Sequence, residues 1–122
     1  MKQEKQKKFS EKNFSKFLDN YYCITVNSGT SALYLSLLAS GIGKGDEVII
    51  PDMTFVATAS SVILSGATPV LADIDSDDLN ISPESIEKNL TSRTKAIIPV
   101  HFAGKSCNMN LIKRIAKKII YS

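Results

Sequence analysis

The sequence predicts an α/β protein with three layers, in which helices cover both faces of a mostly parallel sheet. Strand-like and helix-like segments alternate along the chain, an order that favours parallel strands joined by helical crossovers. The strand-like segments are apolar from end to end, which indicates strands buried on both faces. With 122 residues, of which 43% are hydrophobic, the chain has the size and composition of a single globular domain.

The N-terminal region is rich in lysine. Residues 1–8 have no apolar face and are expected to form a disordered basic tail, whereas residues 9–122 are assigned to the folded domain. Phe9, Phe14 and Phe17 recur at nearly helical spacing, which predicts a short amphipathic helix over residues 9–19. Residues 23–26 (CITV) then predict the first strand.

Glycine, proline and serine mark the limits of the later elements. Gly41 and Gly66 each follow an apolar helical segment, where a glycine ends a helix well. Pro51 closes a buried strand, and Ser82 followed by Pro83 is typical of a helix start. The predicted helices cover residues 30–40, 54–65, 82 onwards and 108–118, and the predicted strands cover residues 46–51, 68–75 and 94–100.

Several classes of function are disfavoured by composition. Two distant cysteines and a single histidine do not form a metal-ligand pattern, so no metal site is predicted. No apolar run approaches the ~20 residues that cross a bilayer, and the N-terminus lacks the apolar core of a secretory signal; a cytoplasmic protein without membrane contact is expected. The lysine-rich ends come without an aromatic platform or a groove-reading motif, so no nucleic-acid partner is expected.

The junction of residues 26–33 (VNSGTSAL) has the features of a phosphate site. Ser28, Gly29 and Thr30 lie where a strand-like run turns into a helix, so backbone N–H groups, hydroxyls and the positive end of a helix dipole converge there. An ordinary helix cap is the alternative. Phe55 and His101 follow the next strands and are expected at the same sheet edge, where ligands of open α/β sheets bind. Gly41, Gly43 and Gly45 are not a dinucleotide fingerprint, because they follow a helix and precede a strand.

Six ordered blocks carry a family resemblance. They are residues 27–33 (NSGTSAL), 43–51 (GKGDEVIIP), 54–59 (TFVATA), 66–70 (GATPV), 73–75 (DID) and 94–101 (TKAIIPVH). Together they resemble the DegT/DnrJ/EryC1/StrS family of pyridoxal-phosphate-dependent sugar aminotransferases, of fold type I. The resemblance implies an incomplete large domain of a PLP-dependent transferase.

The resemblance also implies roles for individual residues. Gly29 and Thr30 would hold the phosphate of pyridoxal 5′-phosphate, Phe55 would stack on its ring, and Ser28 and His101 would lie near the site. Family members transfer an amino group, usually from glutamate, to a nucleotide-linked keto-sugar, in the biosynthesis of polysaccharides or cell-surface sugars. They work as homodimers.

Two features of the family have no counterpart in this sequence. The lysine that binds the cofactor covalently and the aspartate that pairs with its ring nitrogen lie in the family beyond the region matched here. No catalytic residue is therefore assigned, and the expectation is a truncated member, inactive alone, with weak cofactor binding or none. Two alternatives stay open: a non-catalytic partner of a full-length relative, and one half of a split enzyme.

Overall fold

A three-stranded parallel sheet is the middle layer of the computed structural model, which describes residues 2–19 and 21–120. Its strands are β1 (Glu47–Pro51), β2 (Thr68–Ala72) and β3 (Thr94–Ile97), in the spatial order β2-β1-β3. The central strand β1 pairs in parallel with both neighbours, and Ile49 lies opposite Val70 on one side and Ile97 on the other. The predicted α/β fold is confirmed.

Five α-helices and one 3₁₀ turn are found in the described part of the chain. They are α1 (Lys2–Phe17), α2 (Gly29–Ala39), α3 (Ala57–Leu64), α4 (Pro83–Lys88), the 3₁₀ turn Phe102–Gly104 and α5 (Met109–Ile120). As predicted, Ser82 caps α4: its hydroxyl accepts the Ser85 backbone N–H at 3.3 Å, with Pro83 as the first helical residue. None of these helices is long and apolar enough to cross a bilayer.

The side chains of β1 divide the core into two halves. Ile49 packs with α4 and α5, against residues that include Ile86 and Ile112. Val48 and Ile50 pack on the opposite face with residues of α2 and α3. Successive strand residues point to opposite faces, and all three side chains are fully buried. Helices therefore cover both faces, which makes the fold three-layered.

The helix α1 begins seven residues earlier than the predicted start at residue 9. Residues 2–8, expected to form a disordered tail, are helical in the structure. Lysine, glutamine and glutamate are good helix formers even without an apolar face, and the Glu4 and Lys8 side chains pair at 3.7 Å one turn apart. The prediction assumed that a helix here requires an apolar stripe, whereas this exposed segment forms a helix without one.

The predicted strand at residues 23–26 is wrong. Residues 21–26 have no regular structure, and they pair with no strand in the described part of the chain. This segment is attached to α1 by side-chain hydrogen bonds instead. The Thr25 backbone N–H and hydroxyl donate to the Glu11 carboxylate of α1, at 2.7 and 2.9 Å. These bonds lower the pKa of Glu11. A strand-like composition without a neighbouring strand cannot form a ladder.

Three predicted elements are longer than the observed ones by three or more residues. Strand β2 ends at Ala72 because the next N–H, of Asp73, donates to the Ser85 hydroxyl of α4 at 2.8 Å. Strand β3 ends at Ile97, two residues before Pro99, which has no N–H to donate. Helix α3 begins at Ala57, three residues later than predicted, after a turn in which the Thr58 N–H donates to the Phe55 carbonyl at 3.0 Å.

Candidate functional site

An open groove of about 840 Å³ lies beyond the carboxyl ends of β1 and β3. Three segments line it: the N-terminal turn of α2, the turn after β1 and the loop after β3. Their lining residues are Gly29, Thr30, Ala32, Leu33, Met53, Thr54, Phe55, Ala57, Thr58, Val100, His101, Phe102 and Ala103. This is the sheet edge at which parallel α/β folds bind ligands, and it is the edge predicted from the sequence.

The first turn of α2 is organised by a chain of side chains. The Ser28 hydroxyl caps the helix by accepting the Ser31 backbone N–H at 3.1 Å. The Ser31 hydroxyl lies 2.9 Å from that of Ser28 and donates to Asn27 Oδ1 at 2.7 Å. Ser28 is thus engaged as a cap and stands beside the groove rather than lining it. This network fixes the direction in which the helix points into the groove.

Two backbone N–H groups of this turn are available to a ligand. Within the described residues, neither the Gly29 nor the Thr30 N–H has an acceptor. Both residues line the groove, and a Cβ on Gly29 would meet no protein atom within 4 Å. Free N–H groups at a helix start carry partial positive charge. The turn therefore presents an anion site with open space in front of it.

Phe55 is an exposed aromatic residue at the groove. Its side chain is 78% exposed, so Phe55 is not part of the core. The turn that carries it is held by the bond between the Thr54 and Thr58 hydroxyls, at 2.9 Å, and Thr58 is buried. An aromatic face on a rigid turn is suited to lie against a flat ring.

His101 follows β3 and lines the groove from the opposite segment. Its Nδ1 atom accepts the Cys107 backbone N–H at 3.1 Å. A neutral ring with Nδ1 as acceptor carries its proton on Nε2. No three His, Cys, Asp or Glu side chains of the described residues lie close enough to hold a metal ion.

The structure therefore brings Gly29, Thr30, Phe55 and His101 into one groove, although they lie up to 72 residues apart in the sequence. Among the described residues that line it, none is a lysine, an aspartate or a glutamate. Sequence reasoning missed Met53, Thr58 and Phe102. Of these, Phe102 could have been found by its position next to His101, whereas nothing in the sequence marks Met53 or Thr58.

A model of the DegT/DnrJ/EryC1/StrS aminotransferase family matches residues 1–120. The spore coat polysaccharide biosynthesis protein SpsC of Bacillus subtilis is 51% identical over 107 residues, which are 88% of this chain and 28% of that protein. The chain thus spans under a third of this relative's length.

Solved structures show the same likeness. An aminotransferase from Psychrobacter cryohalolentis is 45% identical with a TM-score of 0.87, over 93% of this chain and 29% of that one. The protein NtdA of Bacillus subtilis, solved with the bound cofactor PMP, is 42% identical with a TM-score of 0.84, over 88% of this chain and 25% of that one.

Proposed function

The chain belongs to the DegT/DnrJ/EryC1/StrS aminotransferase family, and we propose that its groove holds the phosphate and one ring face of pyridoxal 5′-phosphate. The observation that carries the proposal is the pair of free N–H groups at the start of α2, opposite an exposed aromatic ring in the same groove. The cofactor bound in NtdA is the aminated form of the same molecule. The residues present fit its anionic and aromatic parts.

Gly29 and Thr30 bind the phosphate in this proposal. Their N–H groups and the Thr30 hydroxyl donate to phosphate oxygens, and the dipole of α2 favours the negative charge. Hydrogen bonds to a charged group contribute about 1.5–3 kcal/mol each. The two N–H bonds alone correspond to a dissociation constant on the order of 1 mM, so these residues bind the cofactor weakly.

Phe55 orients the ring. Its exposed face lies against the pyridine and excludes water from that side, and Ser28 keeps the α2 turn in place. When bound, the cofactor supplies the carbonyl group and the electron-withdrawing ring that amino transfer requires. The groove residues described here bring neither a lysine to the carbonyl group nor a carboxylate to the ring nitrogen. We therefore propose that these residues bind and orient the cofactor but do not transfer an amino group unaided.

The activity of the whole family member is the wider proposal. The family match supports amino transfer, and similarity to SpsC supports a place in polysaccharide biosynthesis. We propose further that the acceptor is a nucleotide-linked keto-sugar, that the donor is glutamate, and that the enzyme is a cytoplasmic homodimer. The described residues would supply the phosphate end of the site.

A second candidate function, association with another chain, is favoured by exposed apolar side chains. Three large apolar side chains are exposed at the end of α1 and in the segment that follows it: Phe17, Tyr22 and Ile24. Large exposed apolar surfaces mark contacts with another segment or chain. The chain would then be one half of a split enzyme, or a non-catalytic partner of a full-length relative. Co-expression with the C-terminal two thirds of a relative tests this: a stable complex supports it, and separate elution of the two chains opposes it.

A titration tests the cofactor proposal directly. Pyridoxine 5′-phosphate is the probe, because it lacks the aldehyde that reacts with surface lysines, and inorganic phosphate is added in parallel. The amide resonances of Gly29 and Thr30 should shift with either probe at millimolar concentration. Thr30→Val should lower the affinity for each probe about tenfold, because it removes one charge-assisted hydrogen bond.

Thr68→Val is the matched control, since Thr68 is exposed on β2, outside the groove. It should bind both probes as the wild type does. Unchanged Gly29 and Thr30 resonances in the wild type at 10 mM of either probe (about ten times the expected constant) would refute the proposal.

A further inference from the structure

Asn80 is a buried polar residue outside the groove. It lies in the turn between β2 and α4 and is 2% exposed. Its backbone is held on both sides: its N–H donates to Asp78 Oδ1 at 2.9 Å, and its carbonyl accepts the Asp75 N–H at 2.8 Å. The preceding Leu79 has a φ of 60°, in the left-handed region. The turn thus fixes the position of the Asn80 side chain.

The Asn80 amide reaches across to the loop at residues 101–107, which we call the His101 loop. Its Oδ1 atom accepts the Phe102 backbone N–H at 3.0 Å, and its Nδ2 atom donates to the Lys105 carbonyl at 3.3 Å. The Cys107 thiol lies 3.4 Å from the same Oδ1. A side-chain amide offers an acceptor and a donor side by side. Asn80 therefore provides hydrogen-bond partners for backbone groups near both ends of the His101 loop.

The His101 loop in turn fixes the imidazole of His101. The loop is tightly folded: the Gly104 N–H donates to the His101 carbonyl at 3.1 Å, and Ala103 has a φ of 48°. This fold brings the Cys107 N–H to His101 Nδ1 at 3.1 Å. In the part of the chain that is described, Nε2 has no partner. The free ring nitrogen is the one that carries the proton.

We propose that Asn80 is a positioning residue of the groove: through the His101 loop it keeps His101 in the Nε2–H tautomer, ready to donate to an anionic oxygen of the ligand outside its phosphate group. The identity of that ligand rests on the proposed function, whereas the tautomer does not. Asn80 itself does not line the groove. Its effect on binding is therefore indirect and passes through His101.

The sequence permits a clean test, because His101 is its single histidine. The ring nitrogens of ¹⁵N-labelled protein are observed by NMR at about pH 8.5. The wild type should show one tautomer, with the proton on Nε2. Asn80→Ala removes both amide bonds, and Asn80→Asp replaces the donor by a carboxylate that faces the Lys105 carbonyl oxygen. Both variants should show a mixture of tautomers.

Binding provides a second readout. Both Asn80 variants should bind pyridoxine 5′-phosphate at least threefold more weakly, with the affinity for inorganic phosphate unchanged, because phosphate alone contacts only the α2 turn. Asn108→Ala is the matched control: the Asn108 side chain also accepts a backbone N–H, that of Leu111 at 3.2 Å, but makes no hydrogen bond to the His101 loop in the described structure. It should leave both tautomer and affinities as in the wild type.

The outcomes separate the two proposals. A single Nε2–H tautomer that persists in folded Asn80 variants would overturn the positioning role. If neither variant folds, measurements on the wild type test the positioning role. Two tautomers of the His101 ring, or a Phe102 amide proton that exchanges with solvent as fast as an unprotected one, would overturn that role. A wild type that binds no probe, yet has a locked tautomer released by Asn80→Ala, would refute the cofactor proposal and uphold this one.

Discussion

Arg93 and Glu47 form an ion pair that joins the start of β1 to the segment entering β3. The Arg93 Nε atom donates to Glu47 Oε1 at 2.9 Å, and the Thr91 hydroxyl donates to the other carboxylate oxygen. Glu47 is buried although its partner is largely exposed. The pair thus ties the first residue of the central strand to the edge strand 46 residues further along.

Stability should depend on the ionisation of Glu47. The hydrogen bond from Thr91 and the bonds from Arg93 hold the pKa of Glu47 below its ordinary value. Its contribution is therefore fully present above the unfolded pKa, about 4.3, and is lost as the pH falls through the lower folded value. Glu47→Gln should lower the melting temperature at pH 7, and the difference from the wild type should shrink below pH ~4.3.

Asp77→Asn is the control for this pH series, because the Asp77 carboxylate is exposed and makes no hydrogen bond or ion pair in the described structure. Its melting temperature should follow that of the wild type at every pH. A Glu47→Gln deficit of constant size from pH 7 to pH 3 would contradict the role of the charge.

The cap of α2 predicts a moderate loss of stability. Ser28→Ala removes the acceptor of the Ser31 N–H and should cost about 1 kcal/mol of the free energy of unfolding, measured by urea denaturation. Ser76→Ala, in an exposed turn, should change it by less than about 0.5 kcal/mol. Equal stability of the two variants would show that the cap does not stabilise the helix.

The central position of Ile49 predicts a large loss. Ile49→Ala should lower the free energy of unfolding by about 2–5 kcal/mol, and Ile49→Val by about 0.5–1.5 kcal/mol. The Ile49 side chain is fully buried between the sheet and the helices α4 and α5. Leu71→Ala on the neighbouring strand is the control, since Leu71 is 59% exposed, and it should cost less than about 0.5 kcal/mol. Denaturant unfolding at low temperature measures all three. Comparable losses at Ile49 and Leu71 would contradict the assignment of the core.

The exposed ring of Phe55 predicts a change in binding without a change in stability. Phe55→Leu removes an aromatic stacking contribution of about 0.5–1.5 kcal/mol, so the dissociation constant of pyridoxine 5′-phosphate should rise about 2- to 13-fold. The affinity for inorganic phosphate and the melting temperature should not change. Leu64→Ala, at the exposed end of α3, serves as the control and should bind both probes normally.

Much of the fold was predictable because its signals are local. The apolar run that became β1 and the Ser82-Pro83 start of α4 each depend on neighbouring residues alone. The strand predicted at residues 23–26 failed because pairing depends on a partner distant in sequence. The early start of α1 was missed because lysine-rich segments form helices by backbone propensity, without an apolar stripe.

The candidate site was predictable to a similar extent. The rule that loops after parallel strands meet at one sheet edge predicted a common position for Phe55 and His101, which follow β1 and β3. Thr30 lines the same groove, although the strand predicted before it is wrong. The role of Ser28 as a helix cap, and not as a residue that lines the groove, follows only from the hydrogen bonds of the structure. Asn80 was not predictable, because its partners in the His101 loop lie 22 to 27 residues away.

The alternation along β1 has a consequence for how this segment tolerates change in length. Val48 and Ile50 serve one half of the core while Ile49 serves the other, so inserting or deleting one residue there would exchange every side chain between the halves. Point substitutions that keep apolar volume are tolerated far better than such a shift. Natural variants of this strand should therefore differ in side-chain shape while its residue count stays constant.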